Sequence, residues 1–514
     1  MNKLTNLIYL LGLSLVTILA GCSDPDDEIK TIDYDRLFSP TEMSARVINR
    51  LEVRLSWAKN VKNADSYTIE IYENGDLDFS GEPVKVLTGI NENPMTITGL
   101  ESETSYSIRI QAVSATIPSS KWIAATVTTD GEQIISSVDN ITETGATINW
   151  TPGESADAII LTPGNLSFPI TASDVAAGKI TVTGLESNTR YTAKLMNGTK
   201  SRGTTTFTTL VDPNAAIIVE PGDDLQTVLT NAASGKVLAM KPGTYGEAKK
   251  IIVNKDVEIK AYYADQDKPV INANISLEDG AKLLLENIVL DGANTDANQA
   301  IMFNTAETSY GDLTIENCVI RNHEKGLYYL NKASSVSSIT INNTIIHNIV
   351  CTGGDLLDSR VGGISAITLT NSTIYKSCTA RDLIRYDDAS ANFSSVTPLI
   401  TVENCTLDGV CNSTDKRILY VRFKNHSISF KNNIVSNSAG GIFSDNSATA
   451  TPAFSGNTYF KSPNFLQSSS TSTKAKFYDG SSPSTLDPGY VDAANGDFTV
   501  TNIDVAGGDP RWIK

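Results

Sequence analysis

LLLEN at residues 283–287 is the first of six similar segments that decide the fold of this chain. Each segment alternates apolar and variable residues and ends in asparagine: LLLEN (283–287), LTIEN (313–317), ITINN (339–343), ITLTN (367–371), ITVEN (400–404) and ISFKN (428–432). The final asparagines follow one another after 30, 26, 28, 33 and 28 residues. A repeat of this size and variable length suits a coil of three short strands joined by turns, whereas an antiparallel sandwich needs no fixed period. The sequence therefore predicts a right-handed parallel β-helix.

The final asparagines explain how such a coil would turn. Stacked coils lie about 4.8 Å apart, so equivalent residues form columns along the β-helix. Asparagine tolerates the left-handed backbone that a sharp corner requires, and its amide can bond to the amides above and below it. We therefore expect a structural role for Asn287, Asn317, Asn343, Asn371, Asn404 and Asn432.

The two ends of this region resemble those of known β-helix proteins. Asp223–Leu229 predicts a short capped helix, and it precedes an apolar strand and the turn Pro242-Gly243-Thr244-Tyr245. This entry resembles that of pectate-lyase-like (pectin-lyase-like) β-helices. Asp487–Tyr490 and Gly508–Trp512 resemble the C-terminal cap of uncharacterised β-helix domains that follow fibronectin-type modules in polysaccharide-utilisation surface lipoproteins. The β-helix is expected over 213–514.

Two smaller all-β domains are expected before the β-helix, at 35–130 and, in a compressed form, at 133–210. Their short alternating runs with turns between them indicate β-sandwiches. Leu100–Tyr106 and Leu185–Tyr191 resemble the tyrosine corner of fibronectin type III domains. Trp57 and Trp150 are expected in the two cores rather than as sugar platforms. Both domains are interpreted as spacers.

The N-terminal residues predict an export signal. Lys3, the apolar run Leu7–Leu19 and Leu19-Ala20-Gly21-Cys22 predict a signal peptide at 1–21 and resemble a bacterial lipobox. The resemblance implies lipidation at Cys22 and attachment to a membrane through acyl chains. The acidic tether at 22–34 resembles the tag that sends some Gram-negative lipoproteins to the exterior of the outer membrane. Outer-membrane glycan-import proteins are the partners that this resemblance implies.

The net charge of −17 bears on which ligands the protein binds. Such a chain repels nucleic acid, so no nucleic-acid partner is expected. It also repels acidic polysaccharides unless a local basic patch or a bound cation reverses the field. No Cys-x-x-Cys occurs and there are three histidines, so a zinc site is not expected.

Two cysteines lie in the same register of neighbouring repeats. Cys378 follows Asn371 by seven residues, and Cys411 follows Asn404 by seven. Adjacent coils bring such residues within disulfide range, although stacked buried thiols are the alternative. Cys318 and Cys405 share a column but lie three coils apart, which prevents their pairing.

A second ladder follows the asparagines in each repeat. It aligns Ile301-Met302-Phe303, Leu327-Tyr328-Tyr329, Leu356-Leu357-Asp358, Leu383-Ile384-Arg385, Ile418-Leu419-Tyr420 and Ile442-Phe443-Ser444. The third position varies in chemistry, which indicates that it faces outward. The expected substrate-binding residues on this face are Tyr329, Asp358, Arg360, Arg385, Tyr420 and Arg422. Aromatic rings stack on sugars and arginine binds uronate carboxylates, but pairs such as Asp358 with Arg385 and Arg360 with Asp387 can also simply neutralise the face.

The leading hypothesis is a surface lipoprotein that binds or helps process a plant-type or other acidic polysaccharide. The first alternative is a polysaccharide lyase that uses Arg385 or Arg422 as the base and calcium held by Asp358, Asp387 and Asp388. The second alternative is a structural or adhesive surface protein. The Arg-x-Pro-x-x-Arg segment of pectate lyases is absent. Asn294-Thr295-Asp296 resembles the start of a polygalacturonase motif, but its companions Gly-His-Gly and Arg-Ile-Lys are absent and the three histidines have no triad context. A lyase is therefore favoured over a glycoside hydrolase if the protein is an enzyme.

Overall fold

The computed structural model of the chain describes residues 35–59, 62–264 and 266–513. The predicted signal peptide, the lipidation at Cys22 and the acidic tether lie outside the described residues. The contacts divide the chain between Gln133 and Ile134 into two compact units, with 200–202 grouped with the first. The first unit holds one β-sandwich, and the second holds another β-sandwich and a parallel β-helix.

The first sandwich has seven strands in two antiparallel sheets. They are β1 (Thr41–Ile48), β2 (Glu52–Ala58), β3 (Ser66–Tyr72), β4 (Lys85–Ile90), β5 (Met95–Ile97), β6 (Ser105–Val113) and β7 (Ile123–Thr128). The sheet orders are β1-β2-β5 and β4-β3-β6-β7. In β2, buried residues alternate with partly exposed ones, because successive side chains of a strand point to opposite faces. The buried residues of the two sheets share one apolar core.

The second sandwich repeats this arrangement in fewer residues. Its strands are β8 (Ile135–Asp139), β9 (Gly145–Trp150), β10 (Ala158–Thr162), β11 (Leu166–Pro169), β12 (Lys179–Thr183), β13 (Arg190–Asn197) and β14 (Lys200–Thr208). Helix α1 (Ala172–Ala177) precedes β12 and is capped by the Thr171 side chain. The sheet orders, β12-β9-β8 and β11-β10-β13-β14, match those of the first sandwich.

Each sandwich contains the predicted tyrosine corner. The backbone N–H of Glu101 donates to the Tyr106 hydroxyl at 2.8 Å, and that of Glu186 donates to the Tyr191 hydroxyl at 3.0 Å. The hydroxyls are therefore satisfied while both rings are buried. Trp57 is also buried in its core, as predicted, and cannot serve as a sugar platform.

The β-helix begins with the predicted capped helix. Helix α2 (Leu225–Asn231) starts after Asp224, whose carboxylate accepts from the Gln226 N–H at 3.0 Å. Leu225 and Leu229 cover the end of the β-helix core. The first strands are β15 (Ile217–Val219), β16 (Lys236–Met240), β17 (Thr244–Val253), β18 (Val257–Ala261) and β19 (Val270–Leu277).

Each following coil contributes up to three strands. The first strand of the coil comes from β20 (Leu283–Glu286), β24 (Leu313–Glu316), β27 (Ser335–Asn342), β30 (Gly363–Thr370), β33 (Leu399–Glu403), β36 (Ser427–Lys431) and β38 (Ala453–Ser455), with β23 (Ser309–Tyr310) beside β27. The second comes from β21 (Val289–Asp291), β25 (Val319–Arg321), β28 (Ile345–His347), β31 (Thr373–Tyr375), β34 (Thr406–Asp408), β37 (Ile434–Ser436) and β39 (Thr458–Phe460). The third comes from β22 (Gln299–Phe303), β26 (Gly326–Leu330), β29 (Leu357–Ser359), β32 (Ile384–Tyr386) and β35 (Leu419–Val421). Every pairing between these strands is parallel, which confirms the predicted coil.

The asparagine column lies where the first strand of each coil turns into the second. All six residues have a left-handed backbone, with φ between 49° and 56°. The side-chain amide of Asn317 donates to Asn287 at 3.2 Å, and that of Asn343 donates to Asn317 at 3.3 Å. The ladder then changes partner, since Asn371 donates to Asn342 instead. The conformational prediction is confirmed, and the amide ladder is continuous over three coils only.

The cysteines also form a column. Cys351, Cys378 and Cys411 occupy equivalent turns, share a left-handed backbone, and are buried. Their thiols are free, as are those of Cys318 and Cys405. The stacked-thiol alternative is therefore the one present, and Cys351 extends the pair that the sequence suggested.

The first and last rows of the predicted second ladder are each shifted by one residue. In the last row Ile442 pairs with Arg417 instead of Ile418, and the first row is displaced too. Met302 pairs with Tyr329, and Phe303 pairs with Leu330 and is buried. The shift of the first row arises because Ile301, Met302 and Phe303 are all apolar, so alternation cannot decide which of them faces outward. Ser444, at the other end of the ladder, is buried too.

The C-terminal segment folds back along the outside of the β-helix. It includes 3-10 turns at Pro463–Phe465, Ala493–Asn495 and Pro510–Trp512. The Asp509 carboxylate accepts from the Thr373 hydroxyl at 2.7 Å, and Arg511 donates to the Asn343 side chain at 2.7 Å. This segment therefore covers part of the face formed by the second strands.

Candidate functional site

The predicted outward row is present on the third strands of four consecutive coils. Tyr329 pairs with Asp358, Asp358 with Arg385, and Arg385 with Tyr420. The next outward positions along the strands carry Arg360, Asp387 and Arg422. We call this surface the arginine face; it comprises Tyr329, Asp355, Asp358, Arg360, Asp382, Arg385, Asp387, Arg417, Tyr420, Arg422 and Asp445.

Asp358 lies beneath the surface rather than on it. Its side chain is 1% exposed, and Arg360 on the same strand covers it with two donors, one of them at 2.9 Å. The same guanidinium reaches the buried Asp355 at 3.1 Å. Asp358 thus holds Arg360 in place and is not accessible to a sugar.

Asp387 joins the next two arginines. Arg385 donates to both of its carboxylate oxygens, at 3.0 and 3.1 Å, and Arg422 on the neighbouring coil forms an ion pair with it at 2.9 Å. The predicted pairs, Asp358 with Arg385 and Arg360 with Asp387, are wrong. Residues two apart in an extended segment share an outward face, so Arg360 and Arg385 bond within their own coils, whereas Arg422 bonds across coils.

Three further residues of the face, Arg417, Asp445 and Asp355, were missed by the sequence analysis. Arg417 donates to both oxygens of Asp382, at 2.9 and 2.6 Å, and to Asp445 at 3.0 Å. Asp355 contributes the third missed side chain. The only sequence signal was the spacing of Arg417, Tyr420 and Arg422, since Asp355 and Asp382 lie in turns.

Tyr420 is surrounded by guanidinium groups. Arg417 lies 3.9 Å from the ring centroid, and Arg385 and Arg422 each lie 5.2 Å from it. The ring faces that would stack on sugar are therefore already used for cation–π contacts. The edge of the ring and the outer nitrogen atoms of the arginines remain for a ligand.

Burial and the neighbouring charges together set the pKa values of the face. Burial, followed by the negative charges of Asp382 and Asp358, raises the pKa of Asp355. Burial would also raise the pKa of Asp387, but hydrogen bonds and charge from Arg385 and Arg422 outweigh it and hold that pKa low. Burial lowers the pKa of Arg360, yet the bonds and charge of Asp358 outweigh this effect and leave the pKa raised. Arg360 is thus held as a cation.

The face does not fit the predicted calcium site. The Asp358 carboxylate bonds to Arg360, and the Asp387 carboxylate bonds to Arg385 and Arg422. The Asp388 carboxylate accepts from the Ser390 N–H at 3.0 Å and from its hydroxyl at 2.6 Å. Calcium needs six to eight oxygen ligands converging on one point. Within 35–59, 62–264 and 266–513, no group of three or more His, Cys, Asp or Glu side chains converges in this way.

A base role for Arg385 or Arg422 is also disfavoured by the geometry. A lyase base must direct a nitrogen lone pair at the substrate, and both guanidinium groups are already donors to Asp387. Arg422 retains unusual donor capacity, because its buried Nε has no hydrogen-bond partner among the described residues. This arrangement suits binding of a negative group better than proton abstraction.

The second strands carry another polar column that the sequence analysis did not find. Asp291 pairs with Arg321, Arg321 with His347, and His347 with Tyr375. We call these four residues the Arg321 column. Each ends a three-residue strand, which is too short for alternation to reveal an outward face. The sequence did contain a regular signal, since each of the four residues follows an asparagine of the ladder by four positions.

Comparison with known families assigns three segments of the chain. Residues 38–126 match the fibronectin type III domain, residues 243–377 match a domain of unknown function (DUF4957), and residues 400–512 match another (DUF5123). The chain therefore has a fibronectin type III domain ahead of its β-helix. The two families that cover the β-helix carry no described activity.

The similar proteins and solved structures include tenascin and fibronectin type III segments. Tenascin of Gallus gallus is 31% identical over 102 residues, which are 20% of this chain and 6% of tenascin. A two-domain fibronectin type III segment of chicken tenascin shares 18% identity at a TM-score of 0.24, over 33% of this chain and 97% of that segment. The central fibronectin-III array of RIM-binding protein shares 19% identity at a TM-score of 0.15, over 37% of this chain and 67% of the array. The chain thus spans only a small part of the length of tenascin.

Proposed function

We propose that this chain, with its fibronectin type III domain and parallel β-helix, is a surface lipoprotein that binds an acidic polysaccharide through the arginine face. The anchor is the lipid expected at Cys22, in a sequence that resembles a lipobox. Among the described residues, no helix is long and apolar enough to cross a membrane. The site of attachment is expected on the exterior of the outer membrane.

The ordered series of guanidinium groups carries this proposal. Arg360, Arg385 and Arg422 lie on three consecutive coils, about 4.8 Å apart, and each is fixed by a carboxylate. Their side chains are 26%, 23% and 36% exposed, so outer nitrogen atoms reach solvent. They are staggered, because Arg360 and Arg422 share a column two coils apart and Arg385 lies in the neighbouring column on the coil between them. Oriented donors on successive coils match a polymer that repeats one negative group per sugar unit.

Binding is favoured over lyase chemistry because the face offers cations without a free base. A β-elimination needs a group that removes the proton next to the uronate carboxylate. The guanidinium groups of Arg360 and Arg385 donate to Asp358 and Asp387, and Tyr420 is covered by guanidinium groups. A polysaccharide lyase is retained as the alternative that the experiment must distinguish.

A structural or adhesive role is the second candidate, and one observation favours it. The carboxylates Asp358, Asp382 and Asp387 already pair with the arginines of the face. Ion pairs at a partly exposed surface are worth little, but a network of them can hold stacked coils together without any ligand. This reading predicts no affinity for any glycan.

Affinity electrophoresis of the full protein tests these readings. Wild-type protein is expected to migrate more slowly in gels that contain polygalacturonate than in gels that contain a neutral galactan. Arg422→Gln should weaken this retardation about tenfold, because a charge-assisted bond is lost. Arg385→Gln should have a similar effect. Ultraviolet absorbance of unsaturated uronate, followed with and without calcium, reports any lyase activity in the same samples.

Lys250→Gln provides the matched control. Lys250 is exposed on β17, at the other end of the β-helix, and its replacement removes the same single charge. The control should bind as wild type does. Equal retardation of Arg422→Gln and wild type would contradict the assignment of the face, and unsaturated product from wild type would favour the lyase.

A further inference from the structure

The guanidinium of Arg321 is held by a carboxylate at one of its nitrogen atoms. Its Nε donates to the Asp291 carboxylate at 2.8 Å. Asp291 is itself fixed by the Ala293 N–H at 2.9 Å and by the Asn322 side-chain amide at 2.9 Å. Burial raises the pKa of Asp291, but these bonds and Arg321 outweigh it and hold the pKa low. The carboxylate therefore stays charged and anchors the guanidinium at one nitrogen.

The remaining nitrogen atoms of Arg321 are available to a ligand. In the described part of the chain only Nε donates to a protein acceptor, and the side chain is 36% exposed. On the arginine face, by contrast, Arg385 uses Nε and Nη2 on Asp387, and Arg417 uses all three nitrogen atoms. A guanidinium fixed at Nε with both Nη atoms free is prepared to bind a planar anion with two bonds.

Aromatic rings and the C-terminal segment lie beside Arg321 on the second strands. The His347 ring stacks on Tyr375 with centroids 5.1 Å apart and planes at 16°. At Tyr375 the folded-back C-terminal segment begins to cover the column. The Lys376 ammonium donates to the Ala494 carbonyl at 2.6 Å, and the ring centroids of Phe498 and Tyr375 lie 5.3 Å apart. A ligand at Arg321 would thus meet a floor of half-buried rings and lie beside the edge of this segment.

We propose that the Arg321 column is a second binding site of the β-helix, at which Arg321 takes the carboxylate of an acidic sugar. Asp291 is a positioning residue that orients the guanidinium, and His347 provides the neighbouring ring edge. The choice of a sugar rests on the proposed function, whereas the anion site rests on the geometry of Arg321 alone. A sulfate ester presents the same paired oxygen atoms, so the test includes both sources.

The experiment compares four polymers and three variants of the full protein by affinity electrophoresis. Polygalacturonate and its methyl ester differ only in the free carboxylate, and chondroitin sulfate and chondroitin differ only in the sulfate. Arg321→Gln should weaken retardation by polygalacturonate about tenfold and leave the weak effect of the methyl ester unchanged. Asp291→Asn should weaken it less, because the guanidinium remains but is no longer held. Arg321→Lys should not restore binding, since an ammonium cannot form the paired bonds.

Lys332→Gln is the control, because Lys332 is exposed in the turn after β26 and its replacement removes one positive charge. Thermal unfolding of each variant checks that the β-helix remains folded. Loss with Arg321→Gln supports this site. Loss with Arg422→Gln as well leaves the arginine face standing, whereas unchanged binding of Arg422→Gln contradicts the arginine face as a binding surface. Loss with Arg422→Gln but not with Arg321→Gln overturns this site and leaves the proposed function standing. Retardation that depends on sulfate but not on carboxylate, or no retardation by any acidic polymer, also overturns it.

Discussion

The guanidinium of Arg417 lies 3.9 Å from the ring centroid of Tyr420, and this contact places a cation between the ring and Asp382. The Asp382 side chain is 2% exposed, and that of Arg417 is 17% exposed. Burial lowers the pKa of Arg417, but the bonds and charge of Asp382 outweigh it and leave the pKa raised. The two form the most enclosed ion pair of the arginine face, and Tyr420 packs over it.

Replacing Arg417 by Met should destabilise the protein by about 3 kcal/mol, because Asp382 then loses its counter-ion while it remains buried. The free energy of unfolding in urea measures the effect. The double variant Arg417→Met with Asp382→Leu should recover most of the loss, since no buried charge remains. A double variant as unstable as the single one would show that packing rather than charge dominates here.

Position 371 should prefer glycine to alanine. Asn371 has φ 49°, and its amide donates to Asn342 at 2.8 Å. Both Asn371→Gly and Asn371→Ala lose this bond, but only alanine also adopts the left-handed backbone at a cost of about 1–2 kcal/mol. Thermal unfolding should therefore rank wild type above glycine and glycine above alanine.

Thr368 supplies the comparison for that ranking. It lies in the middle of β30, where the backbone is extended. Here the order should reverse, with glycine less stable than alanine, because glycine loses more conformational freedom on folding. The same order at both positions would contradict the role given to the asparagine column.

Acidification should destabilise the β-helix through His323. Burial, acting first, lowers the pKa of His323 from 6.5 to about 4, and its Nε2 has no hydrogen-bond partner among the described residues. The unfolded chain binds a proton near pH 6.5 and the folded chain does not, so this stability is complete above pH 6.5 and is lost as the pH falls towards 4. The loss attributable to His323 is about 3 kcal/mol.

The free energy of unfolding measured between pH 7 and 4 should therefore fall less steeply for His323→Gln than for wild type. Carboxylates titrate in both proteins, so the difference between the two curves isolates the imidazole. Parallel curves would show that His323 accepts its proton without penalty in the folded state.

The buried cysteines should resist alkylation in the folded protein. Burial raises the pKa of Cys318 to about 12, and burial also raises that of Cys405. The thiolate is the reactive form, so both depressed ionisation and enclosure slow the reaction. Mass spectrometry after iodoacetamide treatment should find Cys318, Cys351, Cys378, Cys405 and Cys411 unmodified until denaturant is added. Alkylation of Cys378 in the native protein, or a Cys378–Cys411 disulfide in its peptide map, would contradict the stacked-thiol arrangement.

The sequence predicted the β-helix well because every coil imposes the same physical requirements on its residues. Each coil must place apolar residues inside and a left-handed residue at the same corner, and asparagine satisfies the second requirement at 287, 317, 343, 371, 404 and 432. The tyrosine corners at Tyr106 and Tyr191 were predictable for a similar reason, since a buried hydroxyl must find a nearby backbone partner.

The candidate site was less predictable because its partners lie in turns and on very short strands. The row from Tyr329 to Tyr420 followed from the repeat, but Asp355 and Asp382 come from turns whose lengths vary between coils. Pairing also depended on direction: Arg360 and Arg385 bond to carboxylates two residues away, Asp358 and Asp387, whereas Arg422 reaches Asp387 on the neighbouring coil. The Arg321 column lay on three-residue strands, where alternation carries almost no information.

The folded-back C-terminal segment changes how a β-helix can come apart. A stack of coils in which each touches only its neighbours can fray from its last coil one step at a time. Here Asp509 bonds to both Thr373 and Thr406, Arg511 bonds to Asn343, and the Gly508 N–H bonds to the Asn432 carbonyl. These bonds tie together coils that are not adjacent. Opening any one of these coils must therefore release bonds to the segment as well as bonds to its neighbours, so this half of the β-helix should unfold as one cooperative unit.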